Sequence, residues 1–325
     1  MYRGTSFLTS GMAGLLCLVF AVAACDRTSR RMEDHRIGPC LLPSGDEFSI
    51  MTYNLDRYGM HDRNHDGQSN NPKPGKEMDV IIAVIADAAP DILAVQEIGN
   101  PIVFDDFRAR LEAAGLRYDS WEYLRRDDSE MNLAVLSRYP IVARQSKLDD
   151  EYRIGDEIVP VGAGFIDIDI SINPSYSIRL LAAHLKSKVF HPLGQTEMRR
   201  NEARLLNKHV RHALAGNPRM NLIVVGTMND RIDSAALREI TGDRQEHLLD
   251  VRPADRYGGL WTYFDSEAER YVRYDYILLS QHAVPELVTE KTRILHQDMR
   301  KAGSSHRPLL AVFKSRNLPR QAPDR

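Results

Sequence analysis

Cysteine, net charge and long apolar runs are all scarce in this sequence. Its 325 residues hold 3 cysteines, Cys17, Cys25 and Cys40, too few for the disulfide framework of a small secreted scaffold. Lys and Arg number 43 against 45 Asp and Glu, a formal net charge of -2. That balance does not advertise a polyanion partner, although it leaves room for a local basic patch. The apolar run from Gly11 to Ala24 falls short of the roughly 20 residues of a membrane-spanning helix. Internal repeats and low-complexity segments are also missing. What is present, 43% hydrophobic and 27% charged residues, is ordinary globular composition. The length suffices for one large or two modest domains with a sizeable core.

Arg3 precedes the N-terminal apolar run, which ends in Val22-Ala23-Ala24-Cys25. The pattern resembles a bacterial lipoprotein signal, cleaved after residue 24 and acylated on the Cys25 thiol. An uncleaved anchor, or a plain signal peptide with an incidental cysteine, are the alternatives. In the lipoprotein reading Cys17 leaves with the signal and Cys40 is the one remaining thiol. The resemblance implies an extracytoplasmic protein tied to a bacterial membrane. Asp26 resembles an inner-membrane retention signal, which favours the periplasmic side of the inner membrane. Residues 25 to 46 carry Arg27, Arg30, Arg31 and Arg36 without an apolar period and read as a tether. Residues 47 to 314 read as the folded domain and 315 to 325 as a polar tail.

Within the domain the recurrent pattern is an apolar strand that ends in a polar side chain. Leu222 to Val225 form a continuous apolar run, expected for a strand buried on both faces, and Gly226 is expected to end it with a sharp turn into Thr227-Met228-Asn229-Asp230. Phe48 to Tyr53 read as a strand ending in Asn54, and Ile92 to Val95 as one ending in Gln96-Glu97. A carboxylate there costs free energy unless it is paired or bound to a cation. Leu133 to Leu136 form a further strand, followed by Ser137-Arg138-Tyr139-Pro140. Val159 to Leu185 read as strands, the last of them ending in His184. Tyr274 to Leu279 enclose Asp275, and Ser304-Ser305-His306 stand just before a final strand, Leu309 to Phe313. Helices are expected at Lys76 to Ala88, Asp105 to Ala114, Gln195 to Leu214 and Ser234 to Ile240. The arginine-rich face of the third reads as a solvated surface, with a phosphate-binding surface as the alternative.

Asp62, Asn64 and Asp66 place oxygen side chains at alternate positions before Gly67, like the first half of a calcium loop. The twelfth position is Lys73 instead of Glu, which rules out a standard EF-hand. A looser calcium site completed by Glu77 and a plain polar turn are the two readings left.

The order of these polar ends, with Ser137-Arg138-Tyr139-Pro140 between them, resembles the endonuclease/exonuclease/phosphatase family of metal-dependent phosphoesterases from about Phe48 to Phe313. The resemblance implies an α/β fold of four layers, two mixed β-sheets packed face to face with helices outside. It implies Mg2+ or Mn2+ bound by Glu97, with Asn54 beside the metal. Asn229 would position the nucleophile or phosphate, His306 would be the catalytic histidine oriented by Asp275, and His184 would contact the phosphoryl group. A hard dication and a protonated imidazole suit a reaction that gathers negative charge on phosphoryl oxygens. The implied partner is a phosphoester substrate, nucleic acid among the options, acted on by a monomer.

Two positions depart from the family pattern. Thr227 stands where the family has the Asp of Gly-Asp-x-Asn, a residue that aligns or deprotonates the attacking water. Ser305 stands where it has the Asp of Ser-Asp-His, on the metal side of the site. Asp230, next to Asn229, is expected to project elsewhere. Loss of a general base costs a factor of about 100 to 10,000 in rate. The sequence is therefore compatible with a phosphoesterase of altered activity, and with an inactive relative that binds a phosphate-bearing ligand or a partner.

Overall fold

The computed structural model describes residues 45–318, except 65, 128, 243–246, 266–267 and 300. Two six-stranded sheets form its centre. In spatial order the first comprises β17 (Arg293–Ile294), β18 (Leu309–Lys314), β1 (Glu47–Tyr58), β4 (Ile92–Ile98), β6 (Asn132–Ser137) and β5 (Ser120–Leu124). The second comprises β13 (Leu249–Asp250), β16 (Asp275–Leu279), β12 (Leu222–Thr227), β11 (Tyr176–His184), β10 (Phe165–Asn173) and β7 (Ile141–Arg144). Three small hairpins decorate them: β2 (Met60–His61) with β3 (Asn71–Pro72), β8 (Glu151–Ile154) with β9 (Glu157–Pro160), and β14 (Tyr263–Asp265) with β15 (Arg270–Val272). The helices are α1 (Gly75–Ala88), α2 (Pro101–Ala113), α3 (Gln195–Gly216) and α4 (Ala235–Thr241). No described helix is long and apolar enough to cross a membrane.

Side-chain alternation decides the layering. Along β12, Ile223 and Val225 enter the core between the sheets, where they join Ile50, Ala94, Val135, Ile168, Leu180 and Ile277. Leu222 and Val224 point the other way and meet Leu206 and Val210 of α3 and Leu237 and Ile240 of α4. On the outer face of the first sheet, Met51, Tyr53, Leu93 and Val95 pack on Ile81 and Ile85 of α1 and Phe104 and Phe107 of α2. Both sheets are thus covered twice, and the uninterrupted apolar run of β12 follows from having a hydrophobic neighbour on each side. The expected four layers are present: helices, sheet, sheet, helices.

Two strand ends differ from expectation. β12 continues through Gly226 to Thr227 instead of turning at the glycine. Gly226 is required because its φ is 130° and a Cβ there would lie 2.0 Å from the Ala183 carbonyl oxygen of β11. β1 likewise does not stop at Asn54 but runs on to Tyr58, past an irregularity in its pairing with β4.

Candidate active site

Strand direction gathers the polar residues at one end of both sheets. β1 and β4 are parallel, with Asn54 beside Gln96, so Asn54 and Glu97 leave the first sheet together. β11 and β12 are parallel, with His184 beside Thr227. β16 runs antiparallel to β12, so its first residue, Asp275, lies opposite the last residue of β12, Thr227. β18 is antiparallel to β1, which brings His306, three residues before its start, to the same end. The backbone is bent to finish the job: Asp56, Arg57, Glu97 and Asn229 have φ of 51°, 59°, 61° and 54°. Left-handed backbone costs a non-glycine residue about 1–2 kcal/mol, and such residues cluster at functional sites.

A continuous set of hydrogen bonds joins these groups. His306 Nδ1 lies 2.8 Å from Asp275 Oδ2, and the Thr227 hydroxyl donates to Asp275 Oδ1 at 2.6 Å. The Asn54 amide nitrogen donates to Thr227 Oγ1 at 3.1 Å and to Glu97 Oε1 at 3.0 Å. Glu97 Oε2 accepts from the Arg57 backbone N–H at 3.0 Å, and His184 Nε2 lies 3.5 Å from Glu97 Oε1. Asn229 donates to the Leu185 carbonyl at 2.7 Å, which ties it to the residue after His184 and leaves its amide oxygen to receive a ligand. Ser304 donates to the Asn54 carbonyl at 2.8 Å and accepts from the His306 N–H at 3.0 Å, pinning the loop that carries His306.

The two histidines differ in charge preference. Burial by itself disfavours the His306 imidazolium, but the charge and hydrogen bond of Asp275, with Glu97 and Asp56 beyond, outweigh it and hold His306 above the ordinary histidine range. Burial pushes His184 below that range despite the Glu97 carboxylate, so it is neutral near pH 7. The Tyr263 ring lies 4.7 Å from the His306 ring, centroid to centroid, and covers one of its sides.

Asn54, Glu97, His184, Thr227, Asp275 and His306 therefore converge, and Asn229 stands one residue from the contact. Ser305 joins through its backbone, whose N–H donates to Asp56 Oδ2 at 3.2 Å. Sequence reasoning missed Asp56. Burial would raise its carboxyl, yet Lys73, His306 and Ser305 together hold it below the usual carboxylate range. The left-handed backbone that presents it leaves no mark on hydrophobic pattern. Asp230 does project elsewhere, to Lys188 Nζ and Arg199 Nε, both at 3.0 Å. The Asp62–Asp66 turn is self-contained: the Asp62 carboxylate accepts the backbone N–H groups of Asp66 and Gly67, and Asn64 donates to Asp66. Glu77 pairs with Lys73 at 3.4 Å instead of completing that turn. Cys25 lies outside the described residues.

Among the described residues, no three His, Cys, Asp or Glu side chains form a metal-holding group. Magnesium, however, is commonly held by one or two carboxylates, with water and substrate phosphate supplying the other oxygens. Glu97, with Asp56 also acting on His306, is an all-oxygen donor set that fits such a dication and does not resemble a closed structural metal cage.

The profile of the Endonuclease/Exonuclease/phosphatase family matches residues 51–306. No curated relative matches the chain. Similar solved structures include truncated TDP2 of Caenorhabditis elegans, at TM-score 0.53 and 18% identity over 82% of this chain and 98% of that one. The human Nocturnin catalytic domain with bound sulfate gives TM-score 0.60 and 17% identity over 82% and 94%. Sphingomyelinase C of Streptomyces griseocarneus gives 0.55 and 15% over 82% and 99%. At these identities the likeness is one of fold. The profile match begins inside β1 and ends on His306, so it spans all the strand ends that converge here, and the chain belongs to the endonuclease/exonuclease/phosphatase family.

Proposed function

We propose that this chain hydrolyses phosphoester bonds at the shared end of its two sheets. The observation that carries the proposal is the buried His306–Asp275 pair, 2.8 Å apart, with its imidazole biased toward the charged form. Attack on phosphorus builds negative charge on the phosphoryl oxygens, and an imidazolium beside them lowers the barrier. Asp275 holds the ring through Nδ1, which leaves Nε2 to donate to the phosphoryl group. The Asn229 amide oxygen would orient the attacking water, and neutral His184 would contact the phosphoryl group from the side of Glu97. Members of the family depend on a divalent metal, typically Mg2+. Held here by Glu97, with Asp56 near, such an ion would offset phosphoryl charge and make bound water more acidic. A sphingomyelinase is among the proteins that share this fold, and fold does not select a substrate, so nucleic acids, sugar phosphates and phospholipids are all substrate classes to assay.

A second reading rests on Thr227 and Ser305, neutral where the family pattern has aspartates: an inactive relative that binds a phosphate-bearing ligand or partner. The test is hydrolysis of DNA, phosphodiesters, phosphomonoesters and phospholipids by residues 26–325, with Mg2+, Mn2+, Ca2+ or none. Metal-dependent turnover abolished by His306→Ala is the expected result. Activity seen only in a Thr227→Asp/Ser305→Asp variant would overturn it in favour of the binding reading.

A further inference from the structure

We infer that Thr227 is a positioning residue of this site: its hydroxyl orients the Asp275 carboxylate toward His306 and couples that pair to the Asn54–Glu97 pair. The inference rests on the hydrolase reading for its kinetic consequence, but its geometry stands independently. Thr227 is fully buried, and its hydroxyl hydrogen goes to Asp275 Oδ1 at 2.6 Å, since its other acceptor, Gln96 Oε1, is 3.5 Å away. The hydroxyl oxygen in turn accepts one proton of the Asn54 amide, whose other proton goes to Glu97. Donors thus point in one sense, Asn54 to Thr227 to Asp275, and Asp275 receives a hydrogen bond on each oxygen, from Thr227 on Oδ1 and from His306 on Oδ2.

A carboxylate bound on one oxygen alone can swing about its Cβ–Cγ bond. Bound on both, it presents Oδ2 to the imidazole in one orientation. The Asp275 backbone N–H is committed to Thr262 Oγ1 at 3.1 Å, so the main chain there is also fixed, and the two side-chain torsions are the freedom left for Thr227 and His306 to remove. A residue that merely filled space where another member has aspartate would need neither this donor nor this acceptor. Valine would fill the same volume without either.

The test compares Thr227→Val and Thr227→Ser with the unaltered chain, residues 26–325. Its first readout needs no substrate: the proton on His306 Nδ1, seen by NMR as a strongly deshielded resonance and identified by its loss in His306→Ala. We expect the resonance to be kept in Thr227→Ser and lost or broadened in Thr227→Val. The second readout, on whichever phosphoester is turned over with Mg2+, is a kcat lower by about 10- to 100-fold in Thr227→Val. KM should be unchanged, and Thr227→Ser should be near the parent. If Thr227→Val does not fold, Thr227→Ala replaces it, since it also lacks the hydroxyl. A valine or alanine variant with the parent resonance and kcat overturns the inference, as does a serine variant that loses both. A chain that hydrolyses nothing but shows the expected NMR pattern refutes the hydrolase reading and leaves the positioning role standing.

Discussion

At the scale of single residues, His306 sets a pH dependence whose sign can be worked out. Its pKa is raised by Asp275, so the imidazolium persists above the pH at which an ordinary histidine loses its proton. If the imidazolium is the reacting form, kcat holds through neutral pH and falls as pH rises through the shifted value. In Asp275→Asn the charge that favours the imidazolium is gone while burial remains, so the alkaline fall must move to lower pH. A pH–kcat profile of both proteins checks this, and an unmoved or upward-moved limb in Asp275→Asn would show that Asp275 does not support the charged ring. Most of the side chains involved were legible in the sequence, because each stands at the end of an apolar run and their order resembles a known family. Two kinds of fact were not. Asp56 reaches the site through left-handed backbone, and the joint service of Thr227 to Asn54 and Asp275 depends on strands 173 and 48 residues apart in the chain.

At the scale of elements, charge pattern described most of α3 but not all of it. Arg204, Arg211 and His212 are exposed, as a solvated face requires, yet Arg199 and Glu202 are buried. Arg199 holds Asp230 and donates to the carbonyls of Lys186 and Ser187 at 3.1 and 3.3 Å. Glu202 Oε2 accepts the Lys186 N–H at 2.5 Å and Oε1 the Gly162 N–H at 3.4 Å. Both side chains therefore stitch the helix to the segment just beyond His184. A period of 3.6 residues identifies an apolar stripe but does not tell which polar neighbours fold under it. Burial pushes the Glu202 carboxyl up to about 7, against partial relief from those two N–H groups. In the unfolded chain it titrates near 4.5, so between pH 4.5 and 7 the native state binds more protons than the unfolded state and stability falls as pH rises. That displacement corresponds to on the order of 3 kcal/mol. Glu202→Gln keeps an acceptor and cannot ionise. Urea unfolding at a series of pH values should show the parent losing about that much more stability than the variant across this interval, and parallel curves would refute the assignment.

At the scale of the whole molecule, the sheets hold the site at the end away from Glu47, where β1 begins, since Asn54 and the residues after it lie at the far end of that strand. A domain tied to a membrane through the segment before Glu47 would therefore be attached at the pole opposite its chemistry. We propose that attachment occurs through acylated Cys25, on the strength of Val22-Ala23-Ala24-Cys25 after an apolar run. Cys25→Ser removes the thiol that would carry the lipid and leaves every strand and helix described here untouched. In a bacterial host, the parent should sediment with membranes and Cys25→Ser should shift to the soluble or signal-uncleaved form. Both should show the same phosphoesterase activity per folded molecule, because the site lies wholly within β1 to β18. A serine variant that is still processed at residue 24 and still sediments with membranes would refute lipid attachment, without touching the assignment of the site.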